Sequence, residues 1–193
     1  GKRFNETCSL ISIDGNAVQW SVSVKYLGIL FTSGSKIVID FKLSRSKFFQ
    51  TFNSIFSKIS HASETIIVSL IKSKCIPGLM YGLEALNLNK TSLHKLDNPL
   101  YLAFGKIFKT FDKHVLSSCM FFLNTLPLRF EHSVRRSKFL SKLHVSNNCL
   151  LLKLYKLVGR ADLDLLYRDL GLVQNSNVAV LKQTIWNPFE NLL

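Results

Sequence analysis

FKLSRSKFFQTFNSIFSKI, residues 41–59, is where the chain changes period, and that change decides the fold. Phe48, Phe52, Ile55, Phe56 and Ile59 recur at intervals that gather side chains on one face of an α-helix. Lys47, Thr51, Ser54 and Lys58 form an unbroken polar stripe beside them. Upstream, apolar residues alternate instead. Leu10, Ile11 and Ile13, a turn at Asp14-Gly15, then Val18, Trp20, Val22 and Val24 predict a β-hairpin. Tyr26-Leu27-Gly28-Ile29-Leu30-Phe31, closed by Thr32-Ser33-Gly34-Ser35, reads as a further buried strand ending in a loop.

Downstream the spacing stays helical. Ser63 suits the N-cap of a second helix through Ile66, Ile67, Leu70 and Ile71, which Pro77-Gly78 kinks or ends. Lys72 and Lys74 decorate its last turns, where positive charge suits the helix dipole. Thr91 suits the cap of a third helix with Leu93, Leu96, Leu100, Phe104, Ile107 and Phe108 as its buried face and Pro99 in its interior. Further helices are expected over residues 114–124, 130–144, 149–158 and 161–170, the last stopped by Gly171. From Asn175 the tail is polar and then amphipathic, and Asn187-Pro188 breaks whatever helix contains Lys182 and Trp186. Strands first and helices after predict an α+β fold, a short antiparallel hairpin or sheet followed by a mostly α-helical bundle.

The chain has 193 residues, 47% of them hydrophobic, enough for one sizeable core or two small ones. Lys and Arg outnumber Asp and Glu by 25 to 12, so the formal charge of +13 calls for an anionic partner. Nucleic acid is the first candidate. An anionic membrane surface is the rival, because the mean hydropathy of +0.19 is high for a soluble domain. No apolar run approaches the roughly 18 residues of a membrane span, and no secretory signal opens the sequence, which predicts an intracellular, nuclear or cytoplasmic protein. Starting Gly1-Lys2-Arg3-Phe4, the chain reads as a piece of something longer. Cys8, Cys75, Cys119 and Cys149 lie far apart among apolar neighbours, without Cys-x-x-Cys or zinc-finger spacing, and read as small buried thiols.

Catalytic constellations are missing from the sequence. A two-metal polymerase or nuclease needs clustered carboxylates; Asp162 and Asp164 point about 200° apart on a predicted helix and read as a solvated N-terminus. There is no Tyr-x-Asp-Asp, no nucleophile elbow and no phosphate-cradling glycine loop. His61, His94, His114, His132 and His144 are scattered and read as surface or capping residues.

Several strings carry a resemblance. Trp20 to Leu30 contains Tyr26-Leu27-Gly28, and Cys75-x-Pro77-x-x-x-Tyr81-Gly82-x-Glu84 follows at a characteristic distance, with Lys47-Phe48-Phe49, Asn53-Ser54-Ile55-Phe56 and Lys106-Ile107-Phe108-Lys109 around them. These are similar to the segments that follow the catalytic palm motifs in non-LTR (LINE-type) retrotransposon reverse transcriptases. Gly1-Lys2-Arg3-Phe4 resembles the end of the preceding palm strand. The likeness covers roughly residues 1 to 145 and fades beyond; the cysteine-rich knuckle often found near the C-terminus of such proteins is absent.

The resemblance implies three parts: residues 1–38 as the end of the palm and the primer-grip hairpin, 39–145 as a helical thumb, and 146–193 as a C-terminal helical extension. It implies that Trp20, Tyr26, Leu27 and Gly28 belong to the primer grip, Tyr26 to Gly28 forming part of the turn that positions the primer end. Tyr26 and Leu27 read equally well as strand core, and Gly28 as the site of a bulge. The thumb helix would lay Lys47, Thr51, Ser54 and Lys58 along a template-primer duplex, while Pro77, Tyr81, Gly82 and Glu84 serve thumb structure. Arg129, Arg135, Arg136, Lys138 and Lys142 form a second basic cluster, read either as phosphate contacts or as a solvated face.

The expected function is that of a reverse transcriptase fragment. It would bind RNA–DNA or RNA template-primer without base readout and would not be an enzyme alone, since the catalytic aspartates, and the magnesium they hold, belong to the intact polymerase. The palm and fingers upstream are its implied partners, and a hairpin severed from them would bare Val22, Val24 and Ile29. The alternative is a repurposed helical protein–protein interaction module, its partner held at exposed apolar surface. Peripheral membrane attachment through basic helices is a third reading, without stable insertion.

Overall fold

The computed structural model describes residues 10–11, 14–15, 17–18, 21–33, 38–170 and 183–186. The chain divides into two compact units, residues 1–46 and 47–193.

In the first unit β1 (Leu10–Ile11) pairs antiparallel with β2 (Ala17–Val18), Leu10 opposite Val18. A separate antiparallel sheet runs β3 (Ser23–Tyr26), β4 (Ile29–Thr32), β5 (Val38–Asp40) in that order. The run from Tyr26 to Phe31 is therefore not one buried strand. Tyr26 pairs with Ile29, and the two residues between them turn the chain with positive φ at both, 46° at Leu27 and 85° at Gly28. This matches the right-handed twist of the flanking strands. β3 is exposed throughout and β4 half-buried. Asp40 Oδ1 accepts the Lys42 N–H at 2.8 Å, satisfying one of the orphan donors at the start of α1 (Lys42–Ile59).

The second unit is helical, and the whole is α+β, as the change of period predicts. Residues 64–80 form one helical run in three parts: α2 (Glu64–Leu70), a π-helical segment (Ile71–Cys75) and α3 (Ile76–Met80). Ser63 holds the N-cap position, but its hydroxyl pairs with Thr65 Oγ1 and caps no backbone N–H. Pro77 does not end the run. It sits in the first turn of α3, where its missing N–H is least costly, and the helix stops only at Tyr81 and the left-handed Gly82. A 3-10 turn (Leu83–Ala85) leads on to α4 (Lys90–Phe108). Asn89, rather than Thr91, caps α4, accepting the Ser92 N–H at 2.8 Å. Pro99 lies inside α4, buried, without ending it.

Asp112 caps α5 (Lys113–Phe122), accepting from His114 and Val115. Then comes α6 (Leu128–His144), followed by α7 (Cys149–Leu154), a second π segment (Tyr155–Gly159) and α8 (Arg160–Asp169), which together make a single run where two helices are expected. Gly159 does not break it; the bare backbone there lies under the Tyr155 ring, where a Cβ would come within 2.8 Å of Cδ2.

α6 is the hub, packing against α4, the 3-10 turn, α7 and α8. The centre of the unit is made by Phe48 and Phe52 of α1, Ile71 and Met80, Leu96, Leu100 and Phe104 of α4, and Leu116, Met120 and Leu128, all essentially inaccessible to solvent. Of the α4 face expected to be buried, Leu93 and Phe108 are only half so. A satellite cluster joins Leu126, Val134 and Tyr167 to Ile185, with Trp186 stacked edge-on to Phe121 at 5.5 Å. Gly171 and most of the tail lie outside the described residues. Among the described residues, no helix is long and apolar enough to cross a membrane.

Candidate nucleic-acid interface

α1 carries Lys42, Arg45, Lys47 and Lys58 and no acidic residue. Phe48 and Phe52 face the core, which leaves Lys47, Thr51, Ser54 and Lys58 on the exposed side. From Lys47 to Lys58 the stripe runs about 16 Å at 1.5 Å per residue. Lys106 of α4 meets α1 on a different face from the stripe: its Nζ donates to Asn53 Oδ1 at 3.2 Å and lies 5.0 Å from the Phe56 ring centre. Such a cation–π contact keeps the charge near the surface while anchoring its stem. The sequence gives no sign of this contact, because nothing in α4 itself shows that α1 lies beside it.

The five α6 cations do not form one patch. Lys138 and Lys142 are exposed. Arg135 is half-exposed and paired one turn back with Glu131, Nε to Oε1 3.0 Å. Arg136 belongs to the interior and is withdrawn from the phosphate-contact surface. Its side chain is 7% exposed, one Nη donates to Asp162 Oδ2 and the other to the Glu84 carbonyl at 3.3 Å. It ties α6 to α8 and to the turn after α3, so Asp162 is an ion-pair partner and not a solvated N-terminal acid.

Arg129 is held by Asp97, which α4 buries. Asp97 Oδ1 accepts the Arg129 backbone N–H at 2.9 Å, while Arg129 Nη1 stands 3.2 Å from Oδ2, an ion pair too oblique to make a hydrogen bond. Burial raises the Asp97 carboxyl above its ordinary value, and Arg129 draws it back down. Asp97 thus supplies the N-terminal cap that α6 lacks, since Pro127 offers no side-chain acceptor. A helix opening at Pro127-Leu128 without Ser, Thr, Asp or Asn beside it is the signal that a cap must come from elsewhere.

His132 is also internal, not a surface residue. Its Nε2 lies 2.9 Å from the Leu83 carbonyl, to which a neutral, Nε2-protonated ring donates, and burial holds the imidazole below its ordinary value. Lys72 reaches across to the carbonyls of Leu123 and Asn124, at 3.3 and 2.8 Å, and so neutralises the end of α5. Cys75 is buried, but Cys149, first in α7, is exposed, against the expectation of a buried thiol.

In the hairpin, Tyr26 and Leu27 are exposed, 64% and 68%, so strand core does not describe them; Gly28 completes a turn and not a bulge. Val22 and Val24 are exposed and Ile29 half-buried. Trp20 lies outside the described residues. Among those residues no group of three or more His, Cys, Asp or Glu side chains is placed to hold a metal ion. No family model, no curated protein and no solved structure matches the chain.

Proposed function

We propose that the chain is the template-primer-binding part, primer-grip hairpin and helical thumb, of a non-LTR retrotransposon reverse transcriptase, without polymerase activity of its own. The α1 stripe carries the reading: a row of about 16 Å made by exposed Lys47, Thr51, Ser54 and Lys58, two of them cations, on a helix that bears no acid, an arrangement able to follow a phosphate backbone. The strings around Tyr26-Leu27-Gly28 and Cys75-x-Pro77-x-x-x-Tyr81-Gly82-x-Glu84 supply the family. An exposed two-residue turn at Leu27-Gly28 suits a tip that touches a primer end, and the left-handed Gly82 gives the second of these strings a backbone reason. Lys138 and Lys142 add further phosphate contacts; Arg136 does not.

The test is fluorescence anisotropy of the full chain with a labelled RNA–DNA hybrid across salt concentrations. Affinity should be indifferent to base sequence and fall steeply with salt. Replacing Lys47 and Lys58 together by Ala should lower the slope of log affinity against log salt by about 1.8, from roughly 0.9 per phosphate contact. An unchanged slope removes α1 from the interface, and no binding at low salt removes the reading.

One observation favours the second reading, a protein-interaction module. Leu150, Leu154, Leu157, Val158 and Leu165 are all exposed along the run from α7 to α8. Binding to a protein partner there would persist at high salt, where phosphate binding fails.

A further inference from the structure

A second site lies between α4 and α5, away from the α1 stripe. A cavity of about 640 Å³, within the usual range for small-molecule sites, is lined by Lys95 of α4, Lys113 of α5 and Arg129 of α6, with Phe111 beside them. Among the described residues three cations face it against one carboxylate, Asp97, which Arg129 already engages. Lys95 and Lys113 are exposed and, among the described residues, take part in no ion pair.

Phe111 is the unusual member. It is 71% exposed, yet one side of its ring lies against helix backbone. Ring atoms Cε1 and Cδ1 lie over Gly105, so closely that a Cβ there would come within 2.6 and 2.7 Å of them. The link that carries it is pinned at both ends. Lys109, left-handed at φ 54°, and Thr110 close the end of α4, Thr110 donating to the Gly105 carbonyl at 3.2 Å, while Asp112 caps α5. One face of the ring rests on bare helix backbone, and the rest is presented to solvent at a cationic cavity.

We infer that this cavity seats an unpaired nucleotide of a single-stranded nucleic acid, its base stacked on Phe111 and its phosphate held by Lys95 and Lys113. An aromatic platform beside cations is the chemistry that binds single strands without regard to sequence. In a duplex the base faces are buried in the stack, so a paired nucleotide cannot use the ring. The inference does not rest on the duplex reading, whose stripe lies on α1.

The experiment measures, by anisotropy, the affinity of the full chain for a labelled single-stranded oligonucleotide and for a blunt RNA–DNA hybrid of the same sequence. Phe111→Ala should weaken single-strand binding about tenfold or more and leave hybrid binding unchanged. Phe111→Trp should restore it, whereas Phe111→Leu, of similar apolarity but without a π face, should not. Lys95→Ala with Lys113→Ala should reduce its salt dependence. Circular dichroism checks that each variant folds, and exposure of all three side chains keeps that risk small. Wild-type single-strand affinity in Phe111→Ala, or equal losses for strand and hybrid, overturns the site. So does full recovery in Phe111→Leu. Phe111-dependent single-strand binding with no hybrid binding keeps this site and removes the duplex reading instead.

Discussion

Breaking the Arg136–Asp162 pair should destabilise the helical unit more through one partner than through the other. The Arg136 side chain is 7% exposed and that of Asp162 20%. Asp162→Ala strands a guanidinium whose remaining acceptor is the Glu84 carbonyl at 3.3 Å. Removing one member of a buried pair costs about 3–5 kcal/mol, and the partial exposure of Asp162 places this substitution near the lower end, about 3 kcal/mol. Arg136→Met leaves a carboxylate that water can reach and that Asn87 approaches at 3.5 Å, so about 2 kcal/mol is expected. The double variant should lose only about 2 kcal/mol, well short of the sum, because no charge is left unpaired. Urea unfolding followed by far-ultraviolet circular dichroism reads this directly. With a slope of about 2 kcal/mol per molar, Asp162→Ala moves the midpoint down by about 1.5 M. Additive losses in the double variant, or a loss below about 0.5 kcal/mol for Asp162→Ala, would refute the reasoning that the pair is one buried unit.

His132 should make the fold acid-sensitive. Its imidazole is held below the ordinary value of 6.5, so its contribution to stability is complete above that value and is lost as pH falls from 6.5 toward the lower folded value. Asp97, raised by burial, has the opposite sign, since protonation relieves it, so unfolding free energies must be compared between wild type and His132→Gln; equal slopes below pH 6.5 would exclude the effect. Cys149 should react quickly with a thiol reagent in the native state. Cys75, buried and pushed up to about 11, should react only on unfolding, and Cys149→Ser should abolish the fast reaction of that thiol. Leu100→Ala, at a fully buried site on α4, should cost about 2–5 kcal/mol in the same urea assay, and a loss below 1 kcal/mol would mean that the surrounding core collapses into the space.

The helices were legible because each sets an apolar face toward a common core, and Phe48, Phe52, Leu96, Leu100 and Phe104 occupy the positions their spacing demands. The Tyr26–Phe31 run misled because hairpin turns usually announce themselves with Asn-Gly or Asp-Gly, whereas here Leu27 takes the first left-handed position inside an apolar run. The helices expected over 149–158 and 161–170 are one run, because Gly159 between them admits the neighbouring Tyr155 ring, which only the three-dimensional approach reveals. Arg136 was read by charge. Its position was readable by period instead: Leu128, His132, Arg136, Leu140 and Leu143 follow one another at three and four residues, and that is the buried face of α6. What spacing could not supply is the partner, since Asp162 lies 26 residues on. The Phe111 cavity was invisible for a similar reason, being assembled from three helices and a link.

The two π segments have a consequence for how this chain tolerates change in length. A π turn holds one residue more than the α turn it replaces, so the run from Cys149 to Asp169 behaves as a rotary joint set by a single residue. Deleting one residue between Tyr155 and Gly159 would restore an unbroken α-helix while turning everything after it by about 100° relative to what precedes. Asp162 would swing away from Arg136 and Tyr167 out of its cluster. A more regular helix would then be a less stable protein.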